Sequence, residues 1–143
     1  MENFKYNDGG RSKYYKGQAG DCVIRAFAIA SGRDYKEVYN IAKAICGKGN
    51  SPRNGVSKVN TKKIAEKLGF KWVACMSVGT GCKVHLKSDE LPKGNVVCSC
   101  SGHLVAVVDG VVNDIYDSTR GGSRCVYGYW LSKLIKVIYE RIG

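Results

Sequence analysis

The stretch that decides the fold spans residues 103–116 and reads HLVAVVDGVVNDIY. Two apolar runs lie on either side of an Asp-Gly dipeptide at 109–110, which is the strongest short-range signal for a hairpin with a two-residue turn. Such a turn places Val108 opposite Val111 and pairs the two runs as antiparallel strands. The sequence therefore predicts a β-hairpin in the second half of the chain.

The register of this hairpin selects the polar side chains that meet. His103 begins the first strand, and Asp114 lies diagonally across from it on the same face, because side chains alternate along a strand. Asp117 falls on the opposite face. A three-residue turn would shift the pairing by one residue and exchange the two carboxylates. The register therefore predicts that Asp114 contacts His103, with Asp117 as the alternative.

Two helices are predicted in the first half of the chain. After residue 21, apolar residues recur at helical spacing until Gly32, so that Cys22 opens a buried helix. Asp34, with Glu37 three residues later, has the pattern of a capping box, and the apolar stripe that follows ends at Gly47.

The rest of the chain completes an α+β pattern. Asn60 is predicted to cap a short third helix through Leu68. Further strands are predicted at 70–76, 84–86, 95–100 and 126–130, and residues 134–139 fit a strand or a helix. Because the helices come first and the strands second, we expect one α+β domain over residues 1–143, in which the Cys22 helix packs on an antiparallel sheet. Residues 1–20 lack any period and are predicted to be an irregular, basic entry segment.

The charge of the chain is positive and uneven. The 143 residues carry a net charge of +11, and residues 1–71 hold 15 Lys and Arg against 6 Asp and Glu. Such a field attracts acidic proteins, anionic polymers or nucleic acid. We expect a protein or peptide partner, with nucleic acid as a less favoured one; nothing in the sequence predicts the oligomeric state. The apolar runs are shorter than the roughly 20 residues that a membrane span needs, and we expect a cytoplasmic protein with no membrane contact.

Seven cysteines are present, and their number is odd. An odd count without an apolar signal peptide argues against a disulfide framework, so the sequence predicts that all seven thiols are free. Cys98, Cys100 and His103 form the one metal-like cluster, but their spacing differs from common zinc patterns. On a strand, Cys98 and Cys100 point to the same face, as buried hydrophobic residues do. We therefore predict no bound metal and no cofactor.

The cysteine that opens the first helix is a candidate nucleophile. Free N–H groups and the positive end of the helix dipole favour a thiolate, which is the reactive form of cysteine. A nucleophilic thiol also needs a base and a group that orients the base. The predicted candidates are Cys22 as the nucleophile, His103 as the base and Asp114 as the orienting carboxylate, with Asp117 in reserve.

Three motifs carry a family resemblance. The segments at 20–26 (GDCVIRA), 101–110 (SGHLVAVVDG) and 113–118 (NDIYDS) place a Cys at a helix start, a His on a strand and a carboxylate on the next strand. This order resembles the papain-like cysteine peptidase fold, and most closely the small papain-fold proteins that bacteriophages encode. The resemblance implies a Cys-His-Asp triad. It also implies that Gln18, four residues before Cys22, helps to form the oxyanion hole beside the Cys22 backbone N–H.

Two functions from different classes follow from these residues. The first is a cysteine peptidase, or a related amide or isopeptide hydrolase, that acts by acyl transfer; transfer to another amine instead of water remains open. The alternative is a catalytically silent papain-fold protein of phage origin that binds or inhibits a host protein or nucleic acid through its basic surface. In either case we expect a phage-encoded chain to act in the host cytoplasm.

Overall fold

The computed structural model describes residues 3–17, 19–77 and 79–132. Within these residues, three α-helices lie on one side of a six-stranded mixed sheet: the first and third pack against the sheet, and the second packs on those two helices. The helices are α1 (Cys22–Ser31), α2 (Tyr35–Cys46) and α3 (Lys58–Lys67), and the strands are β1 (Phe4–Tyr6), β2 (Phe70–Ala74), β3 (Asn95–Cys100), β4 (His103–Val108), β5 (Val111–Asp114) and β6 (Gly128–Ser132). The strand order across the sheet is β1-β5-β4-β3-β6-β2. The α+β class is confirmed.

The predicted hairpin is present with its two-residue turn. Val108 pairs with Val111, and Ala106 pairs with Asn113. Asp109 and Gly110 have φ angles of 49° and 82°, as the turn type that matches strand twist requires at both central positions. The Asp109 carboxylate also accepts a hydrogen bond of 2.8 Å from the Gly94 backbone N–H, which links the turn to the start of β3.

The starts of α2 and α3 have side-chain caps, but two details differ from the predictions. Asp34 caps α2 by accepting a hydrogen bond from the Lys36 backbone N–H, but Glu37 does not complete a capping box, because it pairs with Arg33 at 2.7 Å. The third helix begins at Lys58, capped by Ser57, and not after Asn60 as predicted. The Ser57 hydroxyl accepts from the Asn60 N–H, so Asn60 is already inside the first turn.

The entry segment is more regular than the sequence predicted. Phe4–Tyr6 form the edge strand β1, which runs parallel to β5, so the sheet is not purely antiparallel. Hydrogen bonds at both ends hold this strand: Val112 N donates to Asn3 O at 2.7 Å, and Asn7 N donates to Asp114 O at 2.9 Å. A three-residue strand is too short to show an alternating pattern, and its partner lies more than 100 residues away.

Both faces of the sheet are buried. The α-helices cover one face, where Ile24, Phe27 and Trp130 belong to a single apolar cluster. The connections after β2 and after β5 cover the other face. The buried residues of that second cluster are Leu86, Leu91, Val96, Cys98, Cys100, Val105, Val107, Val112 and Val126. Cys98 and Cys100 therefore share a buried face, as predicted.

One disulfide bond contradicts the prediction that all seven thiols are free. Cys82 and Cys125 are joined, with their Cα atoms 5.9 Å apart. Hydrogen bonds of 2.8 Å between the two connections, from Leu86 N to Arg124 O and from Val126 N to Val84 O, bring the two cysteines together. The two cysteines are 43 residues apart in the sequence, so no local sequence pattern predicts that they meet. Cys22, Cys46, Cys75, Cys98 and Cys100 are free.

Other predicted elements differ in extent. The short strand at 84–86 is reduced to a single bridge between His85 and Cys125, and the last strand lies two residues later than predicted, at Gly128–Ser132. The stretch at 134–139 lies outside the described residues. Across the described part of the chain, none of the helices combines the length and the apolar character needed to cross a membrane.

Candidate active site

Cys22 and His103 interact with each other and line the same cleft. Cys22 is the first residue of α1, where backbone N–H groups have no partner inside the helix. His103 is the first residue of β4, so the beginning of this strand lies next to the beginning of α1. Both residues line a cleft of about 890 Å³. A substrate in this cleft would therefore have access to the thiol and to the imidazole together.

His103 is held by Asp114, as the hairpin register predicted. The Nε2 atom of His103 lies 2.7 Å from Oδ2 of Asp114, and both side chains are buried. Asp114 Oδ2 also accepts a hydrogen bond of 2.9 Å from the Ser118 hydroxyl, and Oδ1 accepts one of 2.8 Å from the Ile115 backbone N–H. Because an ionised carboxylate only accepts, Nε2 carries the proton, and Nδ1 is left for the thiol.

The electrostatics of the pair favour a thiolate and an imidazolium. Burial alone would raise the pKa of Cys22, but hydrogen bonding to His103 and to the Leu104 backbone lowers it below its usual value. Burial would lower the pKa of His103, but the hydrogen bonds to Asp114 and Cys22 outweigh it and raise that pKa to about 9. Burial works against ionisation of Asp114 too, yet the contact with His103 keeps the pKa of this carboxyl below its usual value.

These shifts predict a distinctive pH dependence for the thiol. Because the pKa of Cys22 is lowered, its alkylation by iodoacetamide should stay fast below the pH at which ordinary thiols lose reactivity. His103→Gln removes the stabilising imidazolium, so the pKa of Cys22 should rise and the rate at pH 6.5 should fall about tenfold or more. Mass spectrometry of the alkylated peptide measures the rate. Identical pH profiles for the two proteins would contradict the coupling.

A buried arginine supports the carboxylate, and the sequence analysis missed it. Arg25, 5% exposed, donates from Nη1 to Asp114 Oδ1 at 2.8 Å and from Nε to Asp21 Oδ1 at 2.8 Å. Asp21 is fully buried and also accepts hydrogen bonds from Arg11 and from the Tyr35 hydroxyl. The sequence did contain a signal for this ion pair: Arg25 is the one charged residue in the apolar run of α1, and it follows Asp21 by four residues.

Removal of Arg25 should be costly, because it leaves buried carboxylates with fewer partners. We expect Arg25→Met to lower the free energy of unfolding by about 3 kcal/mol, as for other broken buried pairs. The matched control is Arg33→Met, which removes an exposed ion pair with Glu37, also four residues apart; its expected cost is below about 0.5 kcal/mol. Urea unfolding measures both. A loss below about 0.5 kcal/mol in Arg25→Met would show that the buried network adds no stability.

The other predicted site residues lie elsewhere. Asp117 accepts hydrogen bonds from the backbone N–H and the hydroxyl of Thr119, at 3.0 and 2.6 Å, and so braces its own loop. Gln18 lies outside the described residues, and its place in an oxyanion hole stays a prediction. Among the residues that the structure describes, no group of three or more Cys, His, Asp and Glu is arranged to hold a metal ion.

Comparisons of the chain with protein-family models, with curated proteins and with solved structures found no match. The chemistry of the site is therefore inferred from its geometry alone. A thiol lies at a helix start, a buried imidazole lies beside it, and a carboxylate is hydrogen-bonded to the imidazole ring.

Proposed function

We propose that the protein is a cysteine peptidase, or a related amide or isopeptide hydrolase, with a papain-like arrangement of Cys22, His103 and Asp114. The observation that carries the proposal is the position of His103, which is bonded through Nε2 to Asp114 and faces Cys22, in an open cleft. A buried core cysteine needs none of these partners. The fold class and the chain order of the three residues are also those of papain-like enzymes.

The proposed reaction is acyl transfer in two steps. The Cys22 thiolate attacks the carbonyl carbon, a sulfur–carbon bond forms, and the carbon–nitrogen bond breaks as the His103 imidazolium gives its proton to the leaving amine. Neutral His103 then takes a proton from water, whose oxygen attacks the thioester. The carboxylic acid leaves, and the thiolate and the imidazolium are restored. Asp114 holds the ring and stabilises its charged form throughout.

The raised pKa of His103 bears on the first step. The leaving amine needs a proton from the imidazolium, which is lost as the pH rises through about 9. Turnover should therefore decline above about pH 9. The N–H groups at the start of α1, including that of Cys22, are available to a developing oxyanion.

A panel of substrates tests the proposal. The chain is incubated with peptide, ubiquitin-like isopeptide and peptidoglycan substrates, and acid-quenched samples are searched by mass spectrometry for an acyl group on Cys22. Cleavage of one class, with a thioester on Cys22, is the expected result. Added hydroxylamine should attack the thioester and release the acyl group as a hydroxamate, which identifies the covalent intermediate. No cleavage and no thioester with any class, together with alkylation of Cys22 no faster than that of Cys46, would contradict the proposal and favour the binding alternative.

A further inference from the structure

The lining of the cleft contains basic side chains and no carboxylate among the described residues. Its lining within the described residues includes Arg25, Lys58 and Lys62 beside His103, and no Asp or Glu. Arg25 is already bonded to two buried carboxylates. Lys58 and Lys62 are exposed, and no carboxylate of the described residues lies within 4.0 Å of either. Two cations in the cleft are therefore available to a ligand.

The two lysines lie together at the start of α3. Lys58 is the first residue of the helix and Lys62 is four residues later, so both side chains lie on one helical face. The positive end of the helix dipole adds to their charge. Ile64, which is fully buried, lies on the other side of α3 and anchors the helix in the core. This wall is consequently fixed in place with its cations toward the cleft.

The floor of the same cleft is aromatic. The rings of Trp72 and Trp130 are 4.9 Å apart, and both line the cleft with Tyr127 and Tyr116. Trp72 lies directly against Gly128, where a Cβ atom would collide with the indole ring. The glycine thus lets the ring lie flat along the sheet. A ligand in the cleft would therefore contact the aromatic surface and also the ammonium groups of Lys58 and Lys62.

We propose that the cleft selects peptide segments in which an acidic side chain lies next to an apolar one, close to the bond that Cys22 attacks. The acidic carboxylate pairs with Lys58 and Lys62, and the apolar side chain packs on Trp72 and Trp130. This inference rests on the proposed function and names its substrate class. Nucleic acid fits less well, because a polyphosphate backbone needs a longer track of cations. The other two lysines of α3, Lys63 and Lys67, lie outside the lining of this cleft.

Peptide pools test the selectivity directly. Internally quenched peptides are randomised except for one position, which is Glu, Gln or Lys. We expect wild type to cleave the best Glu pool about tenfold faster than the matching Lys pool in kcat/KM, at low ionic strength. Lys58→Glu with Lys62→Glu should reverse this order. Lys63→Glu with Lys67→Glu changes the net charge equally, on the same helix and at the same spacing, and should preserve it.

A second measurement needs no turnover, and so separates failure of this inference from failure of the proposed function. The alkylation rate of Cys22 by anionic iodoacetate is divided by its rate with neutral iodoacetamide, which cancels the thiolate fraction. We expect this ratio to fall about tenfold in the Lys58→Glu, Lys62→Glu variant and to change less than twofold in the control variant.

The outcomes are distinct. If no pool is cleaved, the proposed function is decided by the panel of peptide, isopeptide and peptidoglycan substrates, and the alkylation ratio alone decides whether the cleft attracts anions. An unchanged ratio, or equal cleavage of Glu and Lys pools, overturns the acidic selectivity. Protection of Cys22 from iodoacetamide by micromolar oligothymidine, lost in the Lys58→Glu, Lys62→Glu variant, would assign the cleft to nucleic acid and overturn the peptide assignment.

Discussion

Replacing Cys22 with Ala should reduce turnover of any accepted substrate by at least about 10³-fold, because the substitution removes the atom that forms the covalent bond. The fold should survive, since Cys22 is only half-buried and the side chain loses a single sulfur. Cys22→Ser is a second variant of the same size. A hydroxyl lacks the lowered pKa of the thiol, so this variant should lose turnover to a similar extent.

The control for this prediction is Cys46→Ala, which removes another half-buried helical thiol, at the end of α2. It should keep wild-type turnover. The measurement is kcat/KM for the same substrate, with circular dichroism to confirm folding. Turnover that persists in Cys22→Ala, or that is lost equally in Cys46→Ala, would remove Cys22 from the role of nucleophile.

Asp114→Asn should reduce kcat by about 10³-fold, because a neutral amide no longer stabilises the imidazolium or holds the tautomer. The variant should also unfold more easily, by about 1–3 kcal/mol, since Arg25 and the Ser118 hydroxyl lose a charged acceptor. Turnover is therefore measured per folded molecule. The pKa of His103 should fall from about 9 toward its usual value, so the alkaline limit of activity should move to lower pH.

The matched control is Asp117→Asn, three residues away in the same loop region. Asp117 bonds only Thr119 among the described side chains, so turnover should change by less than about twofold. The shift of the alkaline limit separates a role on the ring from a merely structural one. An unshifted limit in Asp114→Asn, or a larger loss in Asp117→Asn, would show that the carboxylates were assigned in the wrong order.

The contact between His103 and Asp114 could be predicted from the sequence because it follows from a local turn. Two residues with positive φ close the hairpin, and strand alternation then decides which side chains share a face. The helix that begins at Cys22 was predictable for the same reason, since its apolar spacing and its terminal glycine are local signals. The position of Cys22 beside His103 was inferred from the need of a nucleophilic thiol for a base, and then from a family resemblance, because 81 residues separate the two and periodicity says nothing about that distance.

Local sequence patterns gave wrong predictions where two residues could fill the same structural role. Ser57 and Asn60 are both good helix caps, and the choice of Ser57 depends on the burial of Thr61, Ile64 and Ala65 against the rest of the fold. Glu37 had the spacing of a capping box, but Arg33 provided a nearby charged partner instead. In both cases the local preferences are similar in free energy, so packing or a neighbouring charge decides between them.

The tertiary structure alone decided what surrounds the catalytic candidates. Arg25 reaches Asp114 across 89 residues of sequence, and Cys82 meets Cys125 across 43. β1 pairs with a strand more than 100 residues later in the chain, and Lys58 and Lys62 line the cleft because α3 packs beside β2. Turns, caps and strand alternation depend on neighbours a few residues apart, so the sequence determines them directly. Ion pairs and cleft walls form between segments whose approach depends on how the whole core packs, and that approach has no local signature.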